Sequence, residues 1–212
     1  VNRVVIWLLL SLLLAGCSAT APVPEDRFYR LSTIHPREVS SRTVLTGGLS
    51  IDYVRADPLR GGRAVLFRDT RRPLQLQRYH YEFWVDQPPR MVRQALAAYL
   101  REAGLADNIV DFDDRTDSAW RLGMRLLKFE QVLDSHSAAV EIALEVSLRS
   151  PTSGTPLLTR VYEQRRASDG PGMHDTVSAM RAALGAVFAD LQADLTAVRP
   201  HGDSRGGGSQ LN

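Results

Sequence analysis

The chain has 212 residues, of which 44% are hydrophobic and 24% charged, and its formal net charge is +2. That is ordinary globular composition, enough for one domain with a sizeable core, and too slight a positive charge for a nucleic-acid binder. The single cysteine, Cys17, excludes a disulfide framework, so the fold must rest on packing.

The amino end opens with Arg3 and then an apolar run from Val4 to Leu14. One cation followed by about a dozen apolar residues is the pattern of a secretory signal, and it falls short of the roughly 20 residues that a spanning helix needs. Leu14-Ala15-Gly16-Cys17 comes next and resembles the lipobox of bacterial lipoproteins at all four positions. Small side chains at Ala15 and Gly16 let a peptidase reach the backbone, and Cys17 supplies the sulfur that takes up diacylglycerol. The expectation is a signal peptide over 1–16, cleavage before Cys17, and a diacylglycerol and an N-acyl chain on that residue, with no other cofactor. An ordinary signal helix or short anchor with an incidental cysteine is the alternative. Acyl chains contribute about 0.8 kcal/mol per buried CH₂, and two chains suffice for stable anchoring. Ser18 stands where an Asp would favour retention at the inner membrane, so the periplasmic face of the outer membrane is the expected location.

Residues 17–27 comprise the lipidated cysteine and a polar, Pro-containing tether expected to be extended. Phe28-Tyr29-Arg30-Leu31 is a short β-prone run. Leu49–Val54 alternates like a strand with one buried face, Ala64–Phe67 reads as a second strand, and Leu74–Trp84 as a third. In that third strand the alternation puts Tyr79, Tyr81 and Phe83 on one face and Trp84 on the other. Asp86-Gln87-Pro88-Pro89 is a helix start, with Met91, Val92, Ala95, Leu96, Tyr99 and Leu100 at helical spacing and Gly104 as the stop. Ile109–Phe112 is a short strand. Three longer runs follow, Trp120–Leu133, Ala139–Leu148 and Leu157–Arg165, separated by Asp134–Ser137 and by a turn containing Ser153-Gly154, the pattern of an antiparallel meander. From Val177 through Leu184 and Leu191 to Val198, apolar residues recur every three or four positions, one stripe wide enough to cover a sheet face. Residues 199–212, rich in glycine and polar side chains, can bury nothing and are expected to be disordered.

Motifs of catalysis are absent from the sequence. His35, His80, His136, His174 and His201 show no ligand-like pairing, Asp111, Asp113 and Asp114 lack the glycine and closing Glu of a calcium loop, and neither G-x-S-x-G nor H-E-x-x-H occurs. No enzyme activity and no metal are expected. The aromatic segment Arg78–Pro89 carries two open interpretations. Its rings fill the core beside a helix start, or Tyr79 and Tyr81 form an exposed contact for a lipid or a partner.

Several of these segments together resemble the ABC-type transport auxiliary lipoproteins of paraquat-inducible and mammalian-cell-entry (MCE) transport systems. The likeness rests on Phe28-Tyr29-Arg30-Leu31, on Val65-Leu66-Phe67-Arg68, and on Tyr79–Trp84 running into Pro88-Pro89 and a helix. The chain departs from the family between Asp57 and Arg63, where a longer Leu-Asp-Arg-containing stretch is common. The resemblance implies an α+β domain over 28–198, a mixed, mostly antiparallel sheet covered on one face by two helices. It also implies a non-catalytic, lipid-anchored docking subunit that works with a periplasmic MCE-domain protein of an ABC transporter moving phospholipid or another hydrophobic molecule. A lipid ligand and a second copy of the chain join the membrane and that protein as candidate partners. An assembly or regulatory outer-membrane lipoprotein, acting on a cell-wall enzyme or a secretion complex, is the competing function.

Overall fold

The computed structural model describes residues 2–3, 24–110, 118–150 and 156–198. Residues 4–16 of the expected signal segment, Cys17, the Asp111–Asp114 cluster, the expected Ser153-Gly154 turn and the 199–212 tail lie outside the described residues. Eight strands and two helices follow in chain order: β1 Arg27–Tyr29, β2 Leu49–Ile51, β3 Ala64–Asp69, β4 Leu76–Trp84, α1 Pro88–Glu102, β5 Ile109–Val110, β6 Trp120–Leu133, β7 Ala138–Arg149, β8 Leu158–Ala167 and α2 Met173–Ala197.

The strands form one mixed sheet organised around β6. One edge of β6 carries the whole length of β7 in an antiparallel ladder, and β7 carries β8 in the same way. The other edge is shared. Its first residues pair in parallel with β2, Arg125 bridges to Arg55, and Gln131–Leu133 pair in parallel with β3. Antiparallel β4 and then parallel β1 extend the sheet from β3, while β5 extends it from β2. The antiparallel meander expected from the three long runs is present, and its ladders supply most of the paired residues.

Both helices lie on one face. In α2, Met180, Leu184, Val187, Leu191 and Leu195 are fully buried, together with Phe188, which the apolar stripe did not include. α1 starts with both prolines in its first turn, where an N–H would find no intrahelical acceptor. It ends before Gly104, whose φ of 67° is a conformation that glycine adopts without a Cβ clash. The helices meet at Tyr99, whose ring centroid is 5.4 Å from that of Phe188 and whose hydroxyl donates to Gln192 at 2.8 Å. Beneath them, Leu122, Met124, Leu126 and Phe129 of β6 pair with Leu148, Val146, Leu144 and Ile142 of β7, and all eight are buried. A one-residue bulge between Leu126 and Lys128 keeps Phe129 on the helix side although it stands three positions after Leu126.

Two expected strands are shorter than their sequence pattern. β2 ends at Ile51, but the chain stays beside β6 beyond it, with backbone N–H groups of Asp52 and Arg55 donating to the carbonyls of Leu122 and Met124. Leu74 stands in the β3–β4 turn, fully exposed, instead of opening β4 on its buried side. The larger correction concerns Tyr79, Tyr81 and Phe83, which do not share one face. Ala64 pairs with Phe83 but Leu66 pairs with Arg78, so β4 inserts three extra residues opposite Val65. An odd insertion reverses the alternation, and Tyr79 ends on the helix side with Trp84 while Phe83 turns to the open side.

Leu184→Asp and Leu191→Asp each place an unpaired charge in this core. Each is expected to lower stability by several kcal/mol in urea unfolding, while Leu74→Ala stays within about 0.5 kcal/mol of the parent.

Candidate membrane and partner interface

The bulge in β4 divides the aromatic segment between two environments. On the helix side, Trp84 is 1% exposed, with its ring 5.2 Å from that of Phe129. Tyr79 is half-buried there, 4.6 Å from the ring of Phe67, and its hydroxyl donates to Gln131 Oε1 at 2.6 Å. Gln131 Nε2 donates in turn to Thr176 Oγ1 at 2.7 Å, and that hydroxyl reaches the Gly172 carbonyl at the start of α2. This chain of hydrogen bonds crosses from β4 through β6 to α2, and each buried polar group in it has a partner. Burial, with the charge of Glu82 nearby, raises the Tyr79 phenol above its ordinary range and keeps it a donor.

On the open side, Phe28 and Phe83 face each other across the β1–β4 pair with ring centroids 5.8 Å apart. Phe28 is 54% exposed, Tyr81 42% and Val85 41%. The Arg63 guanidinium lies 5.5 Å from the Phe28 centroid and is fixed by donation of its Nε to the Trp84 carbonyl at 3.1 Å. Of the two tyrosines singled out as contacts, Tyr81 thus presents its ring to solvent, whereas Tyr79 spends its hydroxyl inside the fold.

Further along the same open face lies a group of charges. Glu130 of β6 and Glu141 of β7 are direct cross-strand partners, 3% and 7% exposed. Two carboxylates so placed repel each other and lack water to screen them. Arg68 of β3 resolves the conflict by bonding both, Nε to Glu130 at 3.1 Å and Nη2 to Glu141 at 2.8 Å. Arg60 adds a second contact to Glu130 at 3.0 Å and is itself held by Asp57 at 2.6 Å. Arg165 and Lys128 approach Glu141 at 2.7 and 3.3 Å, and Lys128 also bonds Glu163. Burial alone would push the Glu141 carboxyl up, but Lys128, Arg68 and Arg165 together bring it below the ordinary carboxylate range. The sequence singled out Arg68 but not its acceptors, because an outward-facing Glu in a strand ordinarily meets solvent.

Two open concavities flank β4. One, of 160 Å³, is lined by Ala64, Arg78, Tyr79, His80 and Phe83. The other, of 480 Å³, is lined by Phe67, Asp69, Arg71, Arg72 and Gln77, and hydrogen bonds from Arg71 hold the Asp69 carboxyl down at about 2. Among the described histidines, His35 meets Glu102 at 2.9 Å, and the His80 ring lies 6.4 Å from that of Tyr81. Among the described residues, no three metal-binding side chains converge, and no helix is long and apolar enough to cross a membrane.

Comparison with known proteins gives a family and a fold. A family model described as the ABC-type transport auxiliary lipoprotein component matches residues 29–192. A crystal structure of a protein from Xanthomonas campestris superposes with a TM-score of 0.71 at 17% identity, covering 81% of this chain and 96% of that one. A second, of a protein described as uncharacterized, has a TM-score of 0.63 at 15% identity, covering 81% and 99%. At such identities the likeness concerns the fold. Among curated proteins, none matches significantly.

The two tyrosines separate in a melting experiment. Tyr79→Phe leaves the Gln131 carbonyl oxygen without its donor and is expected to cost about 1–3 kcal/mol. Tyr81→Ala is expected to stay within about 0.5 kcal/mol of the parent, being a surface change. Arg68→Met leaves Glu130 with Arg60 and Glu141 with Arg165 and Lys128 but removes the cation that bonds both, and is expected to cost about 1–3 kcal/mol at pH 7. The pH dependence follows from Glu141. Because its folded pKa is depressed, its contribution is complete above its unfolded value near 4.5 and is lost as pH falls through the folded one. The deficit of Arg68→Met should therefore narrow in acid, as measured by urea unfolding between pH 7 and pH 3.

Proposed function

Since the chain belongs to the family of ABC-type transport auxiliary lipoprotein components, we propose that it is the lipid-anchored docking subunit of an MCE-type ABC system moving phospholipid or another hydrophobic molecule between membranes. The observation that carries this reading is the family match over 29–192, placed behind the lipobox Leu14–Cys17. Diacylglycerol and an N-acyl chain on Cys17 would hold the domain at the periplasmic face of the outer membrane, with Ser18 as the sorting residue. The family is one of transport auxiliaries and not a known enzyme family. No nucleotide-binding motif occurs in the sequence, so the energy of transport belongs to the partner ATPase. The chain's part is binding: it presents a folded domain at the membrane to a periplasmic MCE-domain protein or to the lipid that protein carries.

Two measurements test the reading. Cys17→Ala removes the sole thiol, so the variant should accumulate as an unprocessed or unlipidated form and leave the membrane fraction. Normal fractionation and a normal mature mass would defeat the anchor. Affinity capture with the lipidated wild-type chain should retain the MCE-domain protein encoded beside it. Retention of a cell-wall synthase or secretion component in its place would favour the assembly or regulatory role.

A further inference from the structure

The edge strand β1 begins ten positions after Cys17. A fully extended chain gains at most about 3.3–3.6 Å per residue, so this edge is held within about 35 Å of the acylated sulfur. It is also where exposed apolar side chains gather. Phe83 faces the open side of β4, the parallel register sets Phe28 against it there, and Tyr81 and Val85 stand two positions to either side of Phe83 in the sequence. Phe28, Tyr81 and Val85 are each more than two-fifths exposed. Clustered rings of this kind are a surface built to be covered.

We propose that the Phe28–Tyr81–Val85 face of the β1–β4 edge rests in the interfacial zone of the bilayer that holds the lipid anchor, fixing the orientation of the domain on the membrane. The inference depends on the acylation of Cys17. Aromatic rings settle at the level of the lipid headgroups, where one side is apolar and the other wet. Arginine beside them keeps its stem along apolar surface and its charge in the polar layer. Arg63 has that arrangement, its Nε bound to the Trp84 carbonyl and its guanidinium over the Phe28 ring. Electrostatic attraction plays a minor part. Arg27 is paired with Glu82, which also accepts from Tyr29 on the other side of the strand, and Glu25 and Asp26 precede β1. The contact should therefore form on zwitterionic as well as anionic lipid. The edge also explains itself in the fold: β1 has only three residues and one partner strand, too short to recruit a further strand but sufficient to carry Phe28 to the rim.

Cys17 is the only cysteine and its sulfur is consumed by the lipid, so a cysteine introduced elsewhere takes a fluorophore uniquely. Phe28→Cys, Tyr81→Cys and, on the distant strand β8, Val161→Cys (47% exposed) would each be labelled with an environment-sensitive dye in the full lipidated chain. The proteins would be reconstituted in vesicles of phosphatidylethanolamine with phosphatidylglycerol, and in vesicles of phosphatidylcholine alone. Dyes at 28 and 81 should shift to the blue with a several-fold gain in emission, and brominated acyl chains should quench them in both vesicle types. The dye at 161 should read water throughout. Floating vesicles whose dyes at 28 and 81 read water would overturn the membrane contact while leaving the anchor intact, as would equal responses at all three positions. Failure of the chain to float would overturn the anchor and this inference with it. Shielding of 28 and 81 only after addition of the MCE-domain protein would assign the face to that protein and retire the bilayer as its occupant. Since all three sites are exposed, each labelled variant should melt with the parent.

Discussion

Arg68 sits between two buried glutamates, and the β3–β4–β1 part of the sheet depends on it. Glu130 and Glu141 oppose each other across the β6–β7 ladder, an arrangement that would favour separation of the strands if the charges were left alone. The guanidinium has donors enough to bond both at once, and its planar fork suits the task better than the single ammonium of a lysine. Because Arg68 belongs to β3, its bonds also fasten β3 to the meander at the point where only three residues of β3 pair with β6. β4 and β1 hang from β3. The position of the aromatic edge relative to the helices is therefore set by a charge arrangement on the opposite side of the sheet.

The helix side reinforces the same junction by other means. Trp84 packs on Phe129, and Tyr79, Gln131 and Thr176 form a continuous hydrogen-bonded line from β4 to the first turn of α2. Apolar contact supplies most of the stabilisation there, while the polar line selects one register. Tyr79 can bond Gln131 only if the bulge in β4 turns it inward. Without those three inserted residues, Tyr79 and Phe83 would project from the same face, and Phe83 could not face Phe28 at the rim. A local irregularity of this kind converts one aromatic run into both a core element and a surface element.

The two faces of the sheet then differ in kind. The helix-covered face is closed by apolar packing. The open face is charged at its centre and aromatic at the edge nearest the tether. Such an arrangement is consistent with a transport auxiliary component.

Much of this protein was decided by local pattern and was legible in the sequence. The prolines and Gly104 bound α1 through backbone constraints of their own, and the stripe of α2 and the meander follow from periods of 3.6 and 2. The α+β class and the family likeness needed no more. Three features arose only in the folded chain. The Glu130–Glu141 pair exists because residues eleven apart in sequence become cross-strand neighbours, and a strand's pattern of outward charges does not say which will be shielded. The division of Tyr79 from Phe83 depends on a bulge, and strand alternation carries no mark of where a register will slip. The parallel docking of β3 and β2 along one edge of β6 joins segments separated by some seventy residues. Periodicity identifies the face that each strand buries, but the identity of its neighbour is a long-range choice, made by the fit of side chains that meet only after the chain has closed.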